Sequence, residues 1–419
     1  MTVGGLSVGL DTAAAPKRGK RASPWTYALF AVAALAVISL VRVTTGATDL
    51  TSAGTVQAAL TAAVPLAMAA LAGLWAERAG VVNIGLEGMM VLGTFGAGYA
   101  GYQWGPWAGV VFGLFLGVVG GLLHAVATVT FGVDHIISGV AINLLAPGAA
   151  LFMSKLYFTD APGGGARQSP PIGDAPKVTV PGFADLMGTI EDKHWFLLSD
   201  LAGVLRGLTT QISVLTLLAA ALIIGTGWLL WRSAFGLRLR SCGEAPAAAE
   251  SLGVNVYKYK YLAVTASGAF AGLGGAFFAV SSGQFREGQT GGRGFIGLAA
   301  MIFGNWRPGG LATGAGLFGY TDAMSLRGSD AVHALLLLLG IALLVVAVTQ
   351  YRSGHHVLSG FAAAIGVLFG WWFFASDEVP PELVGAAPYV VTLLVLTLAA
   401  QRLRPPKLAG EPYRRGQSG

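Results

Sequence analysis

Residues 294–310 read Gly294-Phe-Ile-Gly-Leu-Ala-Ala-Met-Ile-Phe-Gly-Asn-Trp-Arg-Pro-Gly-Gly310, an apolar run cut by Gly304-Asn305-Trp306-Arg307-Pro308. Pro lacks a backbone N–H and clashes with the preceding helical turn, and flanking glycines reinforce the stop. A helix that crosses a bilayer needs about 20 consecutive apolar residues. The stretch 295–326 is therefore read as two half-helices that enter a membrane and return, with an ordinary kinked span as the alternative. Lipid cannot satisfy the freed backbone groups, so the break at Asn305–Gly310 must be buried in protein or line a water-filled path.

Outward from this break, ten stretches are apolar enough to span: 25–43, 56–76, 86–103, 107–129, 136–153, 212–231, 262–280, 332–349, 357–375 and 384–401. The expected fold is all-α: a polytopic helical membrane protein of about ten transmembrane helices plus one re-entrant pair. Composition agrees. Of 419 residues, 54% are hydrophobic and 11% charged, against roughly 25% charged in soluble domains. So few charges cannot solvate a water-soluble surface of this size.

The net charge of +6 does not point to nucleic acid, because the basic residues sit in short runs between apolar spans, as topology determinants do. The tail 1–24 holds Lys17, Arg18, Lys20 and Arg21. The loop 232–260 holds Arg232, Arg238, Arg240, Lys258 and Lys260. The tail 402–419 holds Arg402, Arg404, Lys407, Arg414 and Arg415. The positive-inside rule places all three in the cytoplasm, and the acidic loop 376–383 outside. This holds only if 295–326 returns to the side it came from. The apolar run after the basic N-terminus is longer than a signal-peptide core and is read as an uncleaved first span. The transmembrane domain is expected over 25–401, in the cell membrane. Its polar excursion 154–211 lies outside, as a docking surface for an external partner or a linker. Cys242 is the single cysteine, so an internal disulfide framework is excluded.

Gly109, Gly113, Gly117 and Gly121 stack on one helical face and Gly268 and Gly272 repeat the spacing, a close-packing seam expected to serve the chain's own helices. Polar residues inside spans need partners. Asn83, Glu87, Asn143 and Asn305 are candidates for a translocation path, because amides suit hydroxyl-rich or nucleobase solutes; each could instead bond a neighbouring backbone. Glu77-Arg78 reads as an interfacial ion pair. The hexapeptide Ile84-Gly-Leu-Glu-Gly-Met89 is echoed by Ile296-Gly-Leu-Ala-Ala-Met301, as an inverted repeat would produce. No enzyme constellation emerges. No lysine precedes Ser or Thr, so a P-loop lysine is absent and ATP chemistry, if used, belongs to another subunit.

The loop 232–260 carries the most informative polar sequence. Ala245–Leu252 is a helix-forming run, with Pro246 in its first turn and Gly253 as its stop. Such a helix between two spans can dock into a groove of a partner.

Three stretches, Glu77–Met90, Arg240–Asn255 and Gly294–Gly309, resemble permeases of the simple-sugar and nucleoside branch of ABC importers, a superfamily that includes ribose and branched-chain amino-acid permeases. Val133–Leu145 and Pro388–Leu393 agree in texture. The resemblance implies that Arg240, Glu244, Ala247, Ala248, Ala249 and Gly253 belong to a coupling helix contacting an ATPase. The signature Glu-Ala-Ala-x-x-x-Gly is met by Ala247-Ala248-Ala249 and Gly253, with Ala247 in the Glu place. It further implies an ATPase subunit that supplies ATP and Mg, a second permease, an extracytoplasmic solute-binding lipoprotein, and no cofactor in this chain. Nucleosides are the first expectation for the solute and a monosaccharide the second. A stand-alone ion-coupled transporter is a lesser alternative. The pair 332–375 looks like an inserted hairpin relative to shorter relatives.

Overall fold

A computed structural model describes residues 24–399 and 403–415. In chain order the helices are α1 Pro24–Thr45, α2 Ala53–Arg78, α3 Leu86–Trp104, α4 Pro106–Ala125, α5 His135–Phe158, α6 Phe183–Glu191, α7 Leu198–Gly207, α8 Val214–Arg232 and α9 Ala234–Glu244. They continue as α10 Pro246–Ser251, α11 Val256–Ser281, α12 Arg293–Phe303, α13 Pro308–Ser325, α14 Ser329–Arg352, α15 His356–Ala375, α16 Pro381–Val384 and α17 Ala387–Ala399. Among the described residues the strands are β1 (Lys177–Val178) and β2 (Ile212–Ser213), a short antiparallel ribbon.

Seven of these helices are long and apolar enough to cross a membrane among the described residues: α2, α4 with its π-helical extension to Thr130, α5, α8, α11, α14 and α15. The chain is thus a multi-pass helical membrane protein. Seven of the ten expected spans are among these helices; those at 25–43, 86–103 and 384–401, on α1, α3 and α17, are not. α3 is a full 19 residues but carries five glycines and several polar side chains, and the far end of the 384–401 span lies outside the described residues. The tails 1–24 and 402–419 are described only from Pro24 and over 403–415.

α2 and α11 form the centre, with 72% of each span buried, whereas α5 and α8 are 17% and 22% buried and lie at the periphery. Glycine makes the centre possible. A Cβ at Gly117 would lie 2.3 Å from the Gly268 carbonyl and 2.6 Å from Gly272 Cα; one at Gly121 would meet Gly268 Cα at 2.9 Å. Gly113 faces Gly93 of α3, and Gly109 faces Ala97 and Gly101. The glycine column of α4 therefore meets α11 and α3 backbone to backbone, within the chain. Such contact brings in dispersion that no larger side chain permits.

The stretch 295–326 is broken where the sequence breaks it. α12 ends at Phe303, Asn305 and Trp306 take positive φ of 54° and 53°, and α13 starts on Pro308. Gly304 and Gly310 touch, and Gly314 lies against Ala300, so the two helices pack as an antiparallel hairpin. Gly297 sits on Ala69 and Ala70, and Gly319 on Ala59 and Ala63. α12 thus runs beside α2 in the same direction and α13 runs back. At the open end Arg293 pairs with Asp322 at 3.0 Å. The two arms are unequal. α12 has 11 residues and α13 has 18, roughly 16 and 27 Å at 1.5 Å per residue, so only α12 is a half-helix.

The excursion 154–211 is not a loose linker. Asp200 of α7 is buried and pairs with Arg42 of α1 at 2.7 Å, while Ser39 and Thr51 donate to its carboxylate, both at 2.5 Å. Ser169 and Phe285 exchange hydrogen bonds at 3.0 Å, fixing the excursion to the loop after α11. α14 and α15 form a second antiparallel pair in which Gly340 and Gly366 touch.

Candidate functional site

Two interruptions of helical backbone lie against α2. The first was not visible in hydropathy. α2 ends at Arg78, Gly80 turns with φ of 83°, and Val81–Gly85 returns as a largely buried non-helical segment before α3 begins at Leu86. Every donor and acceptor here needs a partner, because a buried unpaired backbone group is costly. Val82 N donates to His135 Nδ1 at 3.3 Å. His124 Nε2 lies 3.1 Å from the Val82 carbonyl; a carbonyl only accepts, so this nitrogen carries the proton and Nδ1 accepts from Ser138 Oγ at 2.9 Å. Asn83 Oδ1 accepts from Gly85 N at 3.0 Å and its amide donates to Ser267 Oγ at 2.9 Å. Asn143 Nδ2 donates to the Ile84 carbonyl at 2.7 Å and Oδ1 accepts from Gly88 N at 2.8 Å.

These partners change the reading of two candidates. Asn143 spends both polar atoms on the returning backbone, and Asn83 ties that backbone to Ser267 of α11. Glu87 is placed by the same segment. Its carboxylate accepts from Gly292 N at 2.9 Å and Gly294 N at 2.6 Å, at the start of α12. It also lines a cavity of about 260 Å³ between α3, α5 and the loop 285–291, together with Thr94, Pro147, Gln289 and Thr290. Gln289 Nε2 is buried there without a hydrogen-bond partner among the described residues. A buried amide donor without a partner, beside a cavity, is a place where a polar ligand atom or water is accommodated. Gln289 and Thr290 sit in a glycine-rich loop that looks like a mere connector in sequence.

The second interruption is the turn at Asn305–Trp306, at the end of the bundle where Arg78, Arg232, Arg240 and Arg307 collect. Trp306 Nε1 donates to the buried Glu77 carboxylate at 2.5 Å. Arg78 donates twice to the Trp306 carbonyl, at 2.7 and 3.2 Å, and reaches Glu244 at 3.8 Å. The expected Glu77–Arg78 ion pair is thus replaced: adjacent helical residues diverge by about 100°, and both clamp Trp306 instead. Asn305 does not join Asn83, Glu87 and Asn143. It lies at this basic end, where Oδ1 accepts from Arg404 N at 2.8 Å.

Beside the turn stands the 232–260 loop. α9 follows α8 almost directly, with Ser233 capping it through Gly236 N at 3.1 Å. Arg240 folds back, donates to the Leu230 carbonyl at 2.9 Å and stacks on Trp231, so it closes the C-terminus of α8 rather than reaching outward. α10 starts on Pro246 and is stopped by Gly253 at φ of 81°. Pro246 and Ala249 face inward; Ala247, Ala248, Ser251 and Leu252 face out, with Leu252 86% exposed. Beneath α10, Cys242, Ala249 and Val256 form a small apolar cluster. Burial pushes the Cys242 thiol up to about 11.

Known proteins resemble this chain along nearly its whole length. The family described as branched-chain amino acid transport system / permease component matches residues 55–348. The guanosine ABC transporter permease protein NupQ of Bacillus subtilis is 34% identical over 371 residues, 86% of this chain and 97% of that protein. The nucleoside ABC transporter permease protein NupC of Lactococcus lactis is 33% identical over 83% of this chain and 93% of its own length. The putative glucose ABC transporter permease protein TsgC13 of Haloferax volcanii is 31% identical, over 85% and 95%. No solved structure matches. A helical bundle with these interruptions, matched over 55–348 and at above 30% identity across most of its length, belongs to the branched-chain amino acid transport system permease component family.

Proposed function

We propose that this chain is one of two permease subunits of an ATP-driven importer in the cell membrane, with nucleosides as its solute. The observation that carries the reading is similarity along the chain to two permeases named for guanosine and nucleosides. The relative named for glucose supports a monosaccharide as the second reading. In this arrangement the basic end, with α9, α10 and both tails, faces the cytoplasm, and the excursion 154–211 faces the solute-binding lipoprotein. The α12–α13 hairpin then starts and ends toward the outside, with its turn at the cytoplasmic end. A second permease, identical or related, completes the path, and the ATPase subunits bind ATP and Mg.

Mechanically, the outward face Ala247–Ala248–Leu252 presents small residues and one apolar knob, which suits insertion into a groove of an ATPase. Force on α10 passes to α11 through Gly253 and Asn255. It passes to α2 and the hairpin through Glu244, Arg78 and Trp306. The cavity beside Glu87 and Gln289 receives a neutral polar solute at the opposite side of these interruptions. The buried amide donor of Gln289 favours acceptor groups such as ribose hydroxyls and base carbonyls.

The test is uptake of radiolabelled guanosine, uridine and glucose by cells expressing the chain with its neighbouring ATPase and binding protein. Nucleoside uptake that stops on ATP depletion and survives an ionophore is expected. Uptake that survives ATP depletion and collapses with the ionophore overturns the reading in favour of ion coupling. Glucose uptake alone replaces the solute.

A further inference from the structure

The segment 403–415 crosses the basic end and touches the broken turn, the end of α9, the turn after α2, α10 and the start of α11. Arg404 N donates to Asn305 Oδ1 in the broken turn at 2.8 Å. Lys407 N reaches Glu244 Oε2 at 3.3 Å, and Leu408 N donates to the Gly243 carbonyl at 3.0 Å, both at the end of α9. Gly410 N lies 3.3 Å from the Gly80 carbonyl, just after α2. On α10, Tyr413 donates to Glu250 Oε2 and Arg415 Nε to Glu250 Oε1 at 2.6 Å. The Tyr413 ring packs on Tyr257 and on the cluster of Cys242, Ala249 and Val256.

α10 is only six residues long, too short to hold a helix or a position by its own backbone. Its inward face is Pro246 and Ala249. Glu250 is its one ionisable side chain, and both carboxylate oxygens are held by the tail. What orients α10 is therefore a segment from the far end of the chain, and that segment also grips the turn between α12 and α13.

We propose that residues 403–415 are a strap that holds α10 in register with the Asn305 turn, Tyr413 and Arg415 acting as positioning residues for the docked ATPase. This rests on reading α10 as the ATPase contact. Movement of α10 then reaches the hairpin through the strap, whose Tyr413 also packs on Tyr257 at the start of α11, and the outward face of α10 is presented in one orientation.

Cys242, the only cysteine, sits at 0% exposure beneath α10 and reports on the strap without any partner. In membranes holding the full chain, N-ethylmaleimide should modify Cys242 slowly in the wild type. In Tyr413→Phe/Arg415→Ala it should react roughly tenfold faster, as local opening becomes easier. With the ATPase and binding protein present, the same variant should lose most ATP-driven uptake while its amount in the membrane is unchanged. Glu250→Arg should behave like it, and Glu250→Arg/Arg415→Glu should recover part of both readouts. Labelling within twofold of wild type in the Tyr413/Arg415 variant overturns the strap. Faster labelling with unchanged uptake overturns its role in positioning. Absent uptake in the wild type strikes the importer reading instead and leaves the labelling result standing.

Discussion

Glu87 Oε2 accepts a hydrogen bond from the backbone nitrogen of Gly294 at 2.6 Å, across 207 positions of sequence. Glu87 lies in the first turn of α3, and Gly294 in the first turn of α12. Each helix start exposes unpaired N–H groups and a partial positive charge. One carboxylate therefore serves two helix starts that would otherwise repel each other.

Removing that charge leaves the two N–H donors of Gly292 and Gly294 unpaired beside the cavity. Glu87→Ala should destabilise the detergent-solubilised protein by about 2 kcal/mol, the worth of charge-assisted hydrogen bonds. Glu87→Gln keeps one acceptor but turns an amide donor toward the other N–H, so it should fall in between. Thermal unfolding followed by circular dichroism ranks the three proteins. Equal midpoints would show that the carboxylate does not hold α12.

The pair Trp306 and Glu77 gives a non-additive case. Trp306→Phe removes the indole donor and leaves a buried carboxylate without its 2.5 Å partner, which should cost about 3 kcal/mol. Glu77→Met in the Trp306→Phe background removes the stranded group as well, and replacing both partners by apolar groups is close to neutral. The double variant should therefore be more stable than Trp306→Phe alone, measured by the fraction remaining monodisperse after heating. Additive losses would mean that the two side chains act separately.

Asn143→Leu separates building from binding. Asn143 bridges the Ile84 carbonyl and Gly88 N, so the substitution strands both and should cost about 2 kcal/mol. Folded protein should fall before transport per molecule does. Gln289→Leu, by contrast, removes an amide donor without a partner among the described residues and one acceptor, Oε1, whose donor Arg286 N is exposed and can turn to water. It should leave folding within about 0.5 kcal/mol of wild type while reducing nucleoside uptake per molecule. Folded yield by fluorescence size exclusion, set against uptake, distinguishes them. The reverse pattern would return Asn143 to the path and Gln289 to the scaffold.

What the sequence disclosed follows from which signals are local. Gly304–Pro308 announces its break because Pro and Gly act on their own backbone. The α4 and α11 glycines announce their seam because a four-residue spacing stays on one face. The capped helix at 246–251 is legible from Pro246 and Gly253. The non-helical return at 81–85 is not, since Val-Val-Asn-Ile-Gly is equally apolar inside a helix, and hydropathy does not register a break that carries no proline. The partners of Glu87 and Trp306 are remote for the same reason: residues far apart in sequence share no periodicity. The tail 403–415 read only as a basic terminus, because its contacts run mostly through backbone nitrogens and one tyrosine.

Outside the spans, burial pushes up both the Tyr413 hydroxyl, helped by Glu250, and the Cys242 thiol, and Cys242 gives the cleaner pH test. Burial pushes its thiol up to about 11, above the roughly 8.5 of an exposed thiol. In the folded chain the proton stays on until near pH 11, while the unfolded chain releases it near pH 8.5–9. The stabilisation from keeping the thiol neutral is therefore complete below about pH 8.5 and is lost as pH rises toward 11, by roughly 2–3 kcal/mol in total. Lysines and tyrosines titrate in the same range, so the informative quantity is the difference between wild type and Cys242→Ala. The unfolding temperature of the wild type should decline more steeply than that of the variant between pH 9 and 11, and the two should run parallel below pH 8. Parallel curves throughout would mean that Cys242 reaches water in the folded protein, and that α10 does not seal it.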